Sequence, residues 1–204
     1  MNFLAHALLA GNLDTDRIGG VFGDFVKGWL PAGLPAPLAS GVALHRAIDS
    51  FADTHPAFIR SRSRISAERR RVGGILVDLF YDHLLASRWD RYSPEPLQAF
   101  ADRLYRSFDA HLPSFPAQTA VVADRMRTHD WLTSYRQLSA TGQAIDRMAT
   151  HRLSRPSTLA GGIAEFLADI EGFSRDFEVF FVDATDFSAT WRNRRTRSAD
   201  IPSR

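Results

Sequence analysis

The chain has 204 residues, 45% of them hydrophobic and 15 of them Phe, which is enough apolar mass for one packed domain and excludes a chain that is disordered throughout. Cysteine is absent, so disulfides, thiolate metal sites and a cysteine nucleophile are excluded, in keeping with a reducing compartment. The net charge of +2 is unevenly spread: after Trp191, five arginines outweigh Asp200 by four, so the body of the chain is net −2.

The first predicted helix is the apolar run Asn2 to Ala10, which encloses His6. A histidine there is either a ligand or a ring satisfied by a backbone carbonyl. The segment from Gly19 to Gly28 sets Asp24 among apolar neighbours, as a ligand or as the cap of a turn after the glycines. Leu30 to Pro37 is a proline-glycine loop able to flex over a site between its neighbours. In the helix predicted over 41–53, His45, Asp49 and Asp53 follow at four-residue steps on one face, while Val42, Leu44, Ile48 and Phe51 cover the rest. Asp53, beside Thr54, His55 and Pro56, reads mainly as a helix end or cap.

Arg60, Arg62, Arg64, Arg69, Arg70 and Arg71 form the dense positive cluster of the body. Such a run is either a solvated face or a landing patch for an acidic partner. Residues 75–89 then form a helix greasy on nearly every side, interrupted by Asp78, Asp82 and His83. Ser93-Pro-Glu-Pro96 starts another, with serine as cap, proline at the first position, and Leu97, Phe100, Leu104 and Phe108 at helical spacing. Phe115-Pro116 breaks the chain ahead of a segment through Met126, and Trp131, Leu132 and Tyr135 define a short turn or two. Residues 157–187 read as one long helix with an aromatic core stripe.

Strand-like alternation is scarce and neither a repeat nor a second domain separates itself, so the fold class is all-α, a single helical domain over 1–191. The basic segment 192–204 reads as a frayed or disordered tail, with a binding arm as the alternative. No apolar stretch reaches the roughly 18 residues needed to cross a bilayer, and no basic leader precedes the first helix, so a soluble cytoplasmic protein without membrane contact is expected.

Two readings of the buried acids stay open. Asp78 and Asp82 can pair with buried arginines such as Arg46 or Arg71, or they can join the histidines around a divalent cation. The number of groups favours the cation, because each uncompensated buried ion costs several kcal/mol and one metal offsets many. Imidazole nitrogen with carboxylate oxygen is a donor set that manganese, iron, zinc or magnesium accepts. The glycines at 19, 20 and 23 lack the strand and Lys-Ser/Thr of a phosphate loop, no Gly-x-Ser-x-Gly elbow occurs, and no paired Glu-x-x-His suggests a di-iron site. Basic residues are not interleaved with exposed aromatics, so no specific nucleic-acid partner is expected.

Asn2-Phe-Leu-Ala-His6, Gly23-Asp-Phe-Val-Lys-Gly28, His45-Arg-Ala-Ile-Asp49 with Asp53-Thr-His-Pro56, and Asp78-Leu-Phe-Tyr-Asp-His83 together resemble the bacterial acyl carrier protein phosphodiesterases. The resemblance is carried by residues 1–90, and it implies a single-domain helical bundle of HD-phosphohydrolase-like type. Where an ordinary HD protein has His-Asp, this chain has Asp82-His83, so ligands do not transfer from the superfamily. The implied reaction is hydrolysis of the diester joining 4′-phosphopantetheine to a serine of holo-acyl carrier protein, a small acidic partner, with Mn²⁺ as the expected metal and Mg²⁺ or Fe²⁺ as substitutes.

On that reading a subset of His6, Asp24, His45, Asp49, Asp78 and Asp82 holds the ion. Arg46 or Lys27 neutralises the phosphoryl oxygens, His83 protonates the leaving alkoxide, and the arginines at 60–71 dock the partner. Two rivals remain: an HD-type phosphohydrolase of a small nucleotide or phosphodiester, and a helical protein that binds an acidic partner without cleaving it.

Overall fold

A computed structural model describes residues 2–151 and 158–199, and all its regular elements there are helical, eleven α-helices with short 3-10 turns between some of them. The all-α expectation is met. No helix among the described residues is long and apolar enough to cross a membrane.

The amino-terminal helices frame the site. α1 spans Phe3–Leu9 and α2 spans Asp14–Phe22, followed by a 3-10 turn at Gly23–Phe25. Asp24 therefore sits just beyond a helix end. α3 spans Ala36–Thr54 and starts with proline in its first turn, where a missing N–H costs no hydrogen bond. α2 crosses α3 at two glycines: a Cβ on Gly19 would lie 2.6 Å from the Gly41 backbone, and one on Gly41 would lie 2.7 Å from the Asp16 carbonyl oxygen. Backbone-to-backbone contact there brings His45, one turn past Gly41, against the end of α2.

α4, Pro56–Arg64, follows without a loop. Its first turn is capped by His55, whose Nδ1 accepts the Ala57 N–H at 3.2 Å. The cap expected of Asp53 thus belongs to His55, and Asp53 makes only a 3.6 Å exposed pair with Arg62. After a 3-10 turn at Ala67–Val72, α5 spans Gly73–Ser87. Leu76, Val77, Leu79, Phe80, Tyr81, Leu84 and Leu85 on it are all buried, which is why its sequence is apolar on nearly every side.

α6 spans Leu97–His111, three residues later than its Ser-Pro signal suggests. Ser93 Oγ accepts the Glu95 N–H at 3.2 Å, closing a local turn, and Pro96 takes the cap position. α7, Gln118–Thr128, α8, Trp131–Ser134, and α9, Leu138–His151, complete the middle of the chain.

The single helix expected over 157–187 is two, α10 at Ile163–Ala168 and α11 at Ile170–Ala199; position 157 lies outside the described residues. Asp169 leaves the helical region (φ −151°, ψ 58°), and its Oδ1 accepts the Gly172 N–H at 2.9 Å, so it caps a new helix. The aromatic stripe is core as expected: Phe173, Phe177, Phe180 and Phe181 are each at most 2% exposed. Each contributes about 2–3 kcal/mol of transfer free energy before conformational entropy is subtracted.

α11 runs on through the start of the basic segment to Ala199. Arg192 donates to the Leu9 carbonyl, and both terminal nitrogens of Arg195 reach the buried Asp16 at 2.7 Å. A buried carboxylate needs such a partner. Positions 200–204 lie outside the described residues.

Candidate active site

His6 of α1 and His45 of α3 stack with ring centroids 4.0 Å apart. Both turn Nε2 to Asp49, at 3.1 and 3.2 Å, and one donor atom from each of the three lies within 4.8 Å of the others. Asp49 is one helical turn past His45, so α3 alone supplies two of the three. Asp24 approaches His45 Nε2 at 3.3 Å from the 3-10 turn. His45 Nδ1 donates to the Gly20 carbonyl at 2.7 Å, which commits Nε2 to the acids. This approach needs Gly23, where a Cβ would lie 2.5 Å from the His45 ring.

Charge explains how the group coexists. Burial disfavours the His45 imidazolium, yet hydrogen bonds to Asp24 and Asp49 outweigh it and push the pKa up to about 9. Burial, and then the neighbouring His45, bring His6 down to about 3. Asp49 is disfavoured as an anion by burial, but its bonds to His45 and His6 prevail and hold it far below the usual carboxylate range. Hydrogen bonding to His45 likewise lowers Asp24. The cluster stabilises positive charge between two carboxylates. Two imidazole nitrogens and carboxylate oxygen are a fitting donor set for a divalent ion, and the bond from His45 to Gly20 is the outer support such ligands use.

The remaining predicted residues divide. Asp78, on α5, shares a cavity with His6, Asp24 and His45, and burial, then Asp49, raises its pKa. Asp82 does something else: it is wholly buried, and its two oxygens accept the N–H groups of Leu4 and Ala5 at 2.9 and 3.0 Å. It caps α1, the helix that carries His6. Burial pushes its pKa up to about 7 against the pull of those two N–H groups.

His83 donates Nδ1–H to the Tyr135 carbonyl at 2.8 Å, tying α5 to the end of α8, and is not part of the cavity wall. Arg46 is spent on the Val26 and Gly28 carbonyls at 2.8 and 2.9 Å, so it serves neither the phosphoryl group nor Asp78 and Asp82. Lys27 is exposed and likewise outside the wall.

Four of the six clustered arginines, Arg60, Arg62, Arg64 and Arg69, pair with acids of the same chain. Arg60 and Arg64 share Asp176 at 2.8 and 3.1 Å, Arg62 meets Asp53, and Arg69 reaches Glu165 at 3.3 Å. Arg70 and Arg71 are exposed.

The cavity measures about 550 Å³. Its other wall comes from the second half of the chain, which the motifs did not reach: Val122, Arg125 and His129 at the α7 end, Trp131, Ser134 and Tyr135 around α8, and Ala144, Arg147 and Met148 on α9. The only signal for them was helical spacing, since 122, 125 and 129 share a face, as do 144, 147 and 148.

An all-α bundle with a His/Asp cluster able to hold a metal ion beside a cavity is the kind of frame on which metal-assisted hydrolases are built. The chain belongs to the acyl carrier protein phosphodiesterase family, whose profile matches residues 1–184. Proteins named acyl carrier protein phosphodiesterase from Photorhabdus laumondii and Pectobacterium atrosepticum are 33% and 32% identical to it over 182 residues, 89% of this chain and 89% and 92% of theirs. One from Yersinia pestis is 33% identical over 162 residues, 79% of this chain and 83% of its own. No solved structure matches the chain.

Proposed function

We propose that this protein hydrolyses the phosphodiester between 4′-phosphopantetheine and a serine of holo-acyl carrier protein, releasing apo-carrier. The observation that carries the reading is the His6–His45–Asp49 cluster beside the cavity, in a chain that matches the family over residues 1–184. We read the ion as Mn²⁺, held by His6, His45 and Asp49, with Asp24 and Asp78 as the further carboxylates within reach of the cavity. When bound, a divalent cation there supplies Lewis-acid polarisation of a phosphoryl oxygen and acidifies a water.

The chain's own groups do the rest. The Gly20 carbonyl keeps His45 Nε2 directed to the site, and Asp82 holds the amino end of α1 so that His6 meets His45 face to face. The apolar wall, which includes Phe3, Phe25, Leu79 and Trp131, limits bulk water around the reacting group. Mass spectrometry of holo-acyl carrier protein incubated with the purified chain and Mn²⁺ tests the reading. The expected product has lost the phosphopantetheine mass; an unchanged carrier, with a small diester cleaved instead, moves the activity to the small-substrate reading.

A further inference from the structure

We propose that Arg125 and Arg147 form the anion subsite of the cavity and take the non-bridging oxygens of the substrate phosphodiester. The inference rests on the hydrolase reading above and adds the residues that hold the reacting anion.

A phosphodiester is anionic at neutral pH, and it has to approach a site that already carries the Asp24 and Asp49 carboxylates. Beyond the charge held at the His/Asp cluster, cationic side chains elsewhere in the same cavity lower that repulsion further. The Arg and Lys candidates of the amino-terminal motifs are not placed for this: Arg46 is turned onto the Val26 and Gly28 carbonyls, and Lys27 lies outside the wall. Among the described residues, Arg125 and Arg147 are the arginines that line the cavity, and no lysine lines it.

They come from different helices, α7 and α9, and both are exposed. Neither makes an ion pair or a side-chain hydrogen bond with a described residue, whereas Arg60, Arg62, Arg64, Arg69, Arg88, Arg103 and Arg127 all do. On the lining faces Val122 and His129 lie a turn either side of Arg125, and Ala144 and Met148 lie beside Arg147. A guanidinium set beside apolar surface is screened less than one in open water, and its planar fork fits two phosphoryl oxygens.

The test uses the full chain and the variants R125Q, R147Q, R125Q/R147Q and K27Q, none of which removes a partner from a buried group. Calorimetric titration with inorganic phosphate reads the subsite without turnover, and kcat/KM on holo-acyl carrier protein reads it in the reaction. Each single arginine variant is expected to weaken phosphate binding about tenfold, the double variant about a hundredfold, with K27Q unchanged and kcat/KM following the same order. Phosphate binding that is absent from the parent chain, or equal in the parent and the double variant, overturns the subsite. If phosphate binding falls as expected while the parent chain leaves the carrier intact, the hydrolase reading fails and the anion subsite stands.

Discussion

At the residue scale the account turns on how closely His45 is held. Replacing Gly23 by Ala puts a methyl group 2.5 Å from the imidazole, which has to move away from Asp24 and the Gly20 carbonyl. The G23A variant is expected to keep its helical content but lose at least tenfold in Mn²⁺ affinity, since outer-shell supports of ligating histidines are worth about 10–100-fold. Unaltered affinity in a titration would show that the His45 position is not needed. Asp82 gives a contrasting prediction: Asp82→Ala leaves two buried N–H groups of α1 unpaired and should lower unfolding stability by about 2 kcal/mol, read as a lower urea midpoint.

The His45–Asp49 pair was legible because both residues lie on one helix, where a four-residue step fixes their relation. The role of Asp82 was not, although it shares that step with Asp78. What decides between ligand and cap is the helix lying opposite, and its amino end is 78 positions away in sequence.

At the element scale, the 3-10 turn at Ala67–Val72 is fastened to α10 by one carboxylate. Glu165 accepts the Ser66 N–H at 3.0 Å and its hydroxyl at 2.6 Å, with Arg69 at 3.3 Å. Burial opposes ionisation of Glu165, but the Ser66 bonds and Arg69 outweigh it and hold its pKa below the usual glutamate value. A carboxyl depressed in the folded state contributes stability that is complete above its unfolded pKa and is lost as pH falls through the folded one. Urea midpoints for the parent chain and E165Q are therefore expected to differ at about pH 6 and to draw together as pH falls below the usual carboxylate range. A difference that does not depend on pH contradicts the tether.

The same scale shows where pattern reading stops. Apolar periodicity found α3, α5 and the α11 stripe, yet it ran α10 and α11 together, because Asp169 breaks the helix by its own side-chain bond without interrupting the spacing of phenylalanines. Charge patterning marked the arginines at 60–71 as a surface cluster, while Asp176, Asp169 and Glu165, which engage them, lie some hundred residues downstream.

At the scale of the whole molecule, the last helix closes the domain over its own beginning. Arg192 and Arg195 reach α1 and α2 from beyond the family match, which ends at residue 184. A chain ending at Trp191 leaves Asp16 buried without its guanidinium partner. The expected cost is about 3 kcal/mol, the low end for a broken buried pair because Arg195 is about one-third exposed. Asp16→Asn in the shortened chain should recover part of it, and equal urea midpoints for full and shortened chains would remove the clamp from the account. This closure has no local sequence signal, and the α7–α9 wall has helical spacing alone, since each is a meeting of segments far apart in the chain.

The most direct measurement is Mn²⁺ binding to the full chain and to Asp49→Ala, by electron paramagnetic resonance of the free ion, with circular dichroism to verify the fold. Asp49 is the carboxylate that both imidazoles address. The account predicts a bound ion in the parent chain and its loss in the folded variant. A variant that binds Mn²⁺ as tightly as its parent would contradict it.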